Sequence, residues 1–114
     1  MIMDIGWQQK DGVWVAQPEG RLDITQSENL EMALREQIEA EPRSLVINLG
    51  AVSYMSSSGI GALLSVYRVI TARKLRMALC EVSPPVMKLL DVVELGQIFQ
   101  IFPREADAVR SLAG

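Results

Sequence analysis

Histidine is absent from this chain, and cysteine occurs once. The first absence removes the Ser-His-Asp and Cys-His arrangements, the commonest general base and the commonest zinc ligand. The lone Cys80 excludes an internal disulfide and a cysteine-built zinc site. With no paired-carboxylate motif either, the sequence predicts a protein that is not an enzyme: no catalytic residue, no metal site, no cofactor. Long hydrophobic runs are also missing. The best stretch, Gly59 to Ile70, is interrupted by Ser65, Tyr67 and Arg68, so no membrane insertion is expected. The opening "MIMDIGWQQKDG" has neither a basic start nor an apolar signal region, which points to a cytoplasmic protein. Positive charge is in deficit, the net being −3, and this argues against a nucleic-acid partner. Arg68, Arg73, Lys74 and Arg76 do cluster, but as cations suited to the C-terminal end of a helix.

What is present is enough apolar material for one core. The 114 residues fit a single domain over 1–114, and 49% hydrophobic with 22% charged residues argues against disorder. "MDIGWQQ" and "VWVAQ" flank "KDG", and Asp11-Gly12 between β-prone runs predicts a hairpin. Trp7 and Trp14 in that hairpin read as sheet packing. "PEGRLD" turns the chain. Thr25 with Glu28 matches a capping box, predicting a helix from about Gln26 to Ala40 with Thr25 as N-cap. Its inner stripe is Leu30, Ala33, Leu34 and Ile38, and Glu28, Glu31, Glu36 and Glu39 make the outer face acidic. Met32, Met77 and Met87 fall at or near core positions.

"SLVIN" reads as a strand buried on both faces. Ile60, Leu63, Leu64, Tyr67 and Ile70 predict a second helix over about Ser58 to Ala72. "RMALC" is another buried strand. Ser83 and Pro84 suit an N-cap and first turn, and Val86, Leu89, Leu90 and Val93 give a third helix closed by Gly96. "QIFQIF" predicts a last strand, and Pro103 a final helix carrying Val109 and Leu112. Buried strands alternating with amphipathic helices indicate an α/β domain: a mixed, largely parallel sheet with an N-terminal hairpin, covered by about four helices.

The stretch "NLGAVSYMSSSGIGALLSV" carries the functional signal. Three serines stand between a strand and a helix start, where unpaired N–H groups and a partial positive charge gather. One serine suffices as a cap. Gly59 and Gly61 in the first turn cost about 1 kcal/mol each relative to alanine. In return they offer bare backbone that another molecule can approach. A nucleotide cradle would need a third glycine where Leu64 stands, and a P-loop ending is absent. A nucleophile elbow centred on Ser57 would need glycine at Met55 and a histidine. A phosphorylated serine uses all the features together, because a phosphate at a helix N-terminus meets the dipole favourably. Met55 reads equally well as core plug or exposed contact.

These residues resemble the central segment of STAS-domain proteins, specifically the anti-sigma factor antagonists. The matching positions are Asn48, Leu49, Val52, Tyr54, Met55, Ser56, Ser57, Ser58, Gly59, Ile60 and Gly61. Upstream "GRLD" (Gly20, Leu22, Asp23) and the terminal "IFPREADAVRSL" fit the same pattern. The resemblance implies a STAS-like fold and a partner switch. The unphosphorylated form binds an anti-sigma factor that is also a serine kinase, and phosphorylation of Ser57 abolishes binding. A metal-dependent serine phosphatase restores the active form. Asp23, Met55, Ser56, Ser58, Gly59, Ile60 and Gly61 would form the partner-binding surface. The acidic face of the first helix or the end of the second would supply its rim. The position before the acceptor is often Asp in the family and is Ser56 here, which makes Ser56 the second choice of acceptor. A monomer is expected. The alternative is a non-phosphorylated scaffold or adaptor subunit of a stressosome-like or lipid-transport assembly.

Overall fold

Strand and helix formers alternate along the chain, and a computed structural model describes the result for residues 4–113. Strands β1 (Ile5–Lys10) and β2 (Val13–Pro18) pair antiparallel through a turn at Asp11 and Gly12, both at positive φ (52° and 79°). Two such residues match the right-handed twist of a hairpin, and Asp-Gly tolerates them. Met3, placed by the sequence at the start of the first strand, lies outside the described residues. Trp7 and Trp14 meet edge-on with centroids 5.8 Å apart, and Trp14 Nε1–H donates to the Glu41 carbonyl.

The remaining elements are β3 (Gly20–Leu22), α1 (Ile24–Ala40), β4 (Leu45–Asn48), β5 (Val52–Met55), α2 (Ser57–Ala72), β6 (Met77–Cys80), α3 (Pro84–Val92), a one-turn 3-10 helix (Leu95–Gln97), β7 (Gln100–Phe102) and α4 (Glu105–Ala113). The main sheet runs β1-β2-β4-β6-β7, parallel from β2 onward, and β3 and β5 form a separate two-stranded parallel ribbon. Side chains of a strand alternate between faces. Leu45 and Ile47 of β4 and Met77 and Leu79 of β6 therefore join the core under α1, α2 and α3. Val46, Ala78 and Cys80 point the other way, against Ala108, Val109 and Leu112 of α4. Both strands are buried throughout, as continuous apolar runs require.

The end of β4 is tied to α4 by polar contacts. The buried Asn48 donates from Nδ2 to Glu105 Oε1 (2.9 Å) and accepts the Gly50 N–H at Oδ1 (2.8 Å). Glu105 also pairs with Lys10, and its N–H donates to Glu81 Oε2 (2.9 Å). The bonds from Lys10 and Asn48, in that order, hold the Glu105 carboxyl below its ordinary range against partial burial. Burial, reinforced by the charges of Glu105 and Glu81, pushes the Cys80 thiol up to about 12.

Several expectations need correction. The N-cap of α1 is Asp23, whose Oδ1 accepts the Gln26 N–H at 2.9 Å, and Thr25 is the second helical residue. Aspartate outranks threonine as a cap, and Asp23-x-x-Gln26 has the same box spacing. Gly20–Leu22 of "GRLD" is strand β3 rather than turn, and β5 separates the "SLVIN" strand from the serines. Met32 is 61% exposed, because it lies on the far side of the helix from Leu30 and Leu34. Only Gln100–Phe102 of "QIFQIF" is strand, and α3 ends at Val92 ahead of Glu94, which sits at φ 59°. Val93 is exposed rather than part of the buried stripe.

Candidate functional site

The parallel ribbon brings two helix starts side by side. β3 ends at Leu22 and continues through Asp23 into α1; β5 ends at Met55 and continues through Ser56 into α2. Leu22 and Met55 are register partners and both are buried, at 0% and 6% exposure. The serines follow at once, so their surroundings are set by a pair of buried anchors on adjacent strands.

The three hydroxyls differ. Ser56 is the half-buried N-cap of α2, yet its side chain caps nothing. Its Oγ donates to the Leu22 carbonyl at 2.9 Å, and its N–H donates to the same oxygen at 3.0 Å. Ser57 is the first helical residue and is exposed; Ser58 is half-buried. Because Ser56 faces β3, the first turn of α2 lacks a side-chain cap, and its leading N–H groups keep their partial positive charge.

The two glycines have different physical reasons. A Cβ on Gly59 would stand 2.7 Å from Met55 Cγ and 3.2 Å from Leu22 Cβ. Its bareness lets α2 pack on the ribbon, and Gly59 is buried. Gly61 has nothing within 4 Å of where its Cβ would be, and it is exposed.

Met55, Gly59 and Ile60, expected on a partner-binding surface, are thus core residues in the free chain. The inward strand position of Met55 and the Ile60 stripe of α2 bring this about. Asp23, Ser57 and Gly61 are exposed and Ser58 half-exposed. On the outer side of the ribbon Arg21 lies over the Tyr54 ring, 4.3 Å from its centroid. Ser27 was not anticipated. It is buried on α1 in step with Leu30, Leu34 and Ile38, so a serine on an apolar stripe was the available signal.

Comparison with known proteins agrees with this architecture. Residues 5–108 match the family model of the STAS domain. The chain is 33% identical over 113 residues to the anti-sigma F factor antagonist of Paenibacillus polymyxa, covering 98% of this chain and 97% of that one. An anti-sigma factor antagonist from Mycobacterium paratuberculosis superposes with a TM-score of 0.89 at 23% identity, covering 98% and 95% of the two chains. The Bacillus cell fate determinant SpoIIAA, in its phosphorylated form, superposes at 0.72 with 23% identity, covering 95% and 99%.

Proposed function

The chain belongs to the STAS-domain family, and from that premise we propose that it is a phosphorylation-controlled binding module rather than an enzyme. Its unphosphorylated form binds an anti-sigma factor that is also a serine kinase and so frees that factor's target. Phosphorylation of Ser57 ends the binding, and a metal-dependent serine phosphatase reverses the modification.

One observation carries the choice of residue. The Ser56 hydroxyl is engaged with the Leu22 carbonyl, whereas Ser57, one position on, is exposed at an uncapped helix start. A kinase needs a free hydroxyl, and the nascent phosphate needs cationic or N–H partners. Ser57 has both, since the leading N–H groups of α2 and its dipole favour a dianion there. The fold need not change. What changes is the surface, by about two negative charges at pH 7. An interface closing over Ser57 would have to desolvate that charge, and an uncompensated buried charge costs several kcal/mol.

Intact-mass analysis of protein from its native cells, with peptide mapping, tests the reading. One added phosphate on Ser57, absent from Ser57→Ala, is the expected result. A phosphate on Ser56 would move the acceptor. No phosphate under any growth condition would turn the reading toward a constitutive scaffold.

A further inference from the structure

Two strands close the main sheet, β1 on one side and β7 on the other, and each leaves a row of backbone groups without a ladder partner among the described residues. β7 is blunted, being three residues long and followed by Pro103. β1 is not. It has six residues in unbroken register with β2, with no proline and no bulge. The row it presents follows from the ladder. The Asp4 carbonyl accepts the Glu19 N–H, and the N–H of Trp14, the register partner of Gln9, goes to the Ser44 carbonyl beside β4 instead. Bonds of an antiparallel pair come at alternate residues. Gly6, Gln8 and Lys10 therefore bond β2, and Ile5, Trp7 and Gln9 turn their N–H and C=O groups outward. Pro18, which has no N–H to give, stands opposite Ile5, as that alternation requires. None of the three outward residues is charged.

We propose that β1 is the seam of a two-fold dimer, pairing antiparallel about Trp7 with β1 of a second copy of this chain. The strand is complementary to itself in that register. Trp7 faces Trp7, Ile5 faces Gln9, Gly6 faces Gln8 and Asp4 faces Lys10 of the second copy, and the outward groups of Ile5, Trp7 and Gln9 bond one another. Gly6 with Gln8 and Asp4 with Lys10 fall at the non-hydrogen-bonded positions, where side chains stand closer. Gly6, having no side chain, leaves room for Gln8. Asp4 is exposed and has no ion pair among the described residues, and Lys10 is exposed with Glu105 as its ion-pair partner. Opposite charges thus meet twice by symmetry, and a slip of two residues either way forfeits both pairs. On the other face the half-buried Ile5 and Trp7, the latter edge-on to Trp14, meet their own copies and are covered by them. The seam shares no residue with the candidate switch site, so it stands apart from the reading of Ser57.

The test is sedimentation equilibrium with amide hydrogen exchange on the full chain, from about 10 μM to about 1 mM, the span in which a small interface associates. A monomer–dimer equilibrium is the result, in place of the monomer expected from the sequence. Exchange at the Ile5, Trp7 and Gln9 amides should slow as concentration rises, while Gly6 and Gln8 stay unchanged. Gln9→Pro removes an outward N–H, leaves the β2 ladder intact and should abolish the dimer. Asp4→Lys, at an exposed position, sets like charges opposite one another and should weaken the dimer several-fold. Register is read by mixing Gly6→Cys with Gln8→Cys, where oxidation should favour the mixed disulfide over either homodimer. A monomer at every concentration leaves this edge to an extended segment of some other protein and overturns the proposal. So does a dimer without slowed exchange at the three outward amides, or one that forms homodimeric and mixed disulfides equally. A dimer that survives Gln9→Pro and Asp4→Lys belongs to another face and overturns it too. Should Gln9→Pro fail to fold, Asp4→Lys and the disulfides decide.

Discussion

Ser56 and Leu22 join the two helix starts: one carbonyl oxygen of β3 accepts both the N–H and the Oγ–H of the residue that opens α2. The relationship fixes where the next residue, Ser57, stands, and it leaves the Ser56 hydroxyl engaged while Ser57 is exposed.

Ser56→Ala should therefore cost about 0.5–1.5 kcal/mol, the net worth of one hydrogen bond. The low end is expected, because the Leu22 oxygen keeps the N–H of residue 56 as donor. Urea denaturation reads this directly. The same variant should remain a full substrate for the kinase, and loss of phosphate incorporation would contradict the assignment of Ser57.

Ser57→Asp should weaken binding to the anti-sigma factor by nearly a thousandfold, corresponding to about 4 kcal/mol. Ser57→Ala should bind like the unmodified protein. Calorimetric titration of both variants is the measurement, and equal affinities would remove the switch. Circular dichroism of the Asp variant should be unchanged, since the new charge lies at a helix N-terminus that favours it.

The glycines should respond in opposite directions. Gly59→Ala puts a methyl 2.7 Å from Met55 Cγ and 3.2 Å from Leu22 Cβ, and overpacking of this kind costs about 1–3 kcal/mol. Gly61→Ala meets nothing within 4 Å and should stabilise the chain by about 0.5–1 kcal/mol through helix propensity. Thermal unfolding of the pair separates packing from propensity. Equal shifts of one sign would show that the helix start is arranged differently.

Glu105 should make stability depend on acid pH. Its folded-state carboxyl is held below the ordinary glutamate value, chiefly by the bond from Lys10 and then by that from Asn48. The unfolded chain therefore binds the proton more readily. The stabilisation is present above the unfolded value and is lost as pH falls through the folded one. Glu105→Gln should flatten the decline in urea midpoint below about pH 4.3, the ordinary glutamate value. A decline as steep as in the parent would assign it to other carboxylates.

Cys80 should resist thiol reagents. It is fully buried and its thiol is raised to about 12, so thiolate forms at pH 8 only when the chain opens. Labelling under native conditions should be far slower than in urea and should speed up as stability falls. Equal rates would mean that the α4 side of the sheet opens freely.

Much of this was legible in the residues by themselves. Asp11-Gly12 specified the hairpin because few dipeptides tolerate two positive φ values. Continuous apolar runs specified β4 and β6 because strands buried on both faces have no polar side to show. The absence of histidine closed the common catalytic routes, and the serine-glycine stretch marked the candidate site. Helix α1 was legible except for its first residues, where two capping boxes overlapped and Asp23 prevailed over Thr25.

Tertiary structure decided the rest. Strands β3 and β5 are short, and each exists because the other supplies its backbone partners; no local pattern records that pairing. The ribbon buries Met55 against Leu22, assigns Gly59 to internal packing and leaves Gly61 open. It also turns one serine inward and leaves its neighbour in solvent. Periodicity says which residue types can share a face, but contacts between residues 34 positions apart determine which hydroxyl is free.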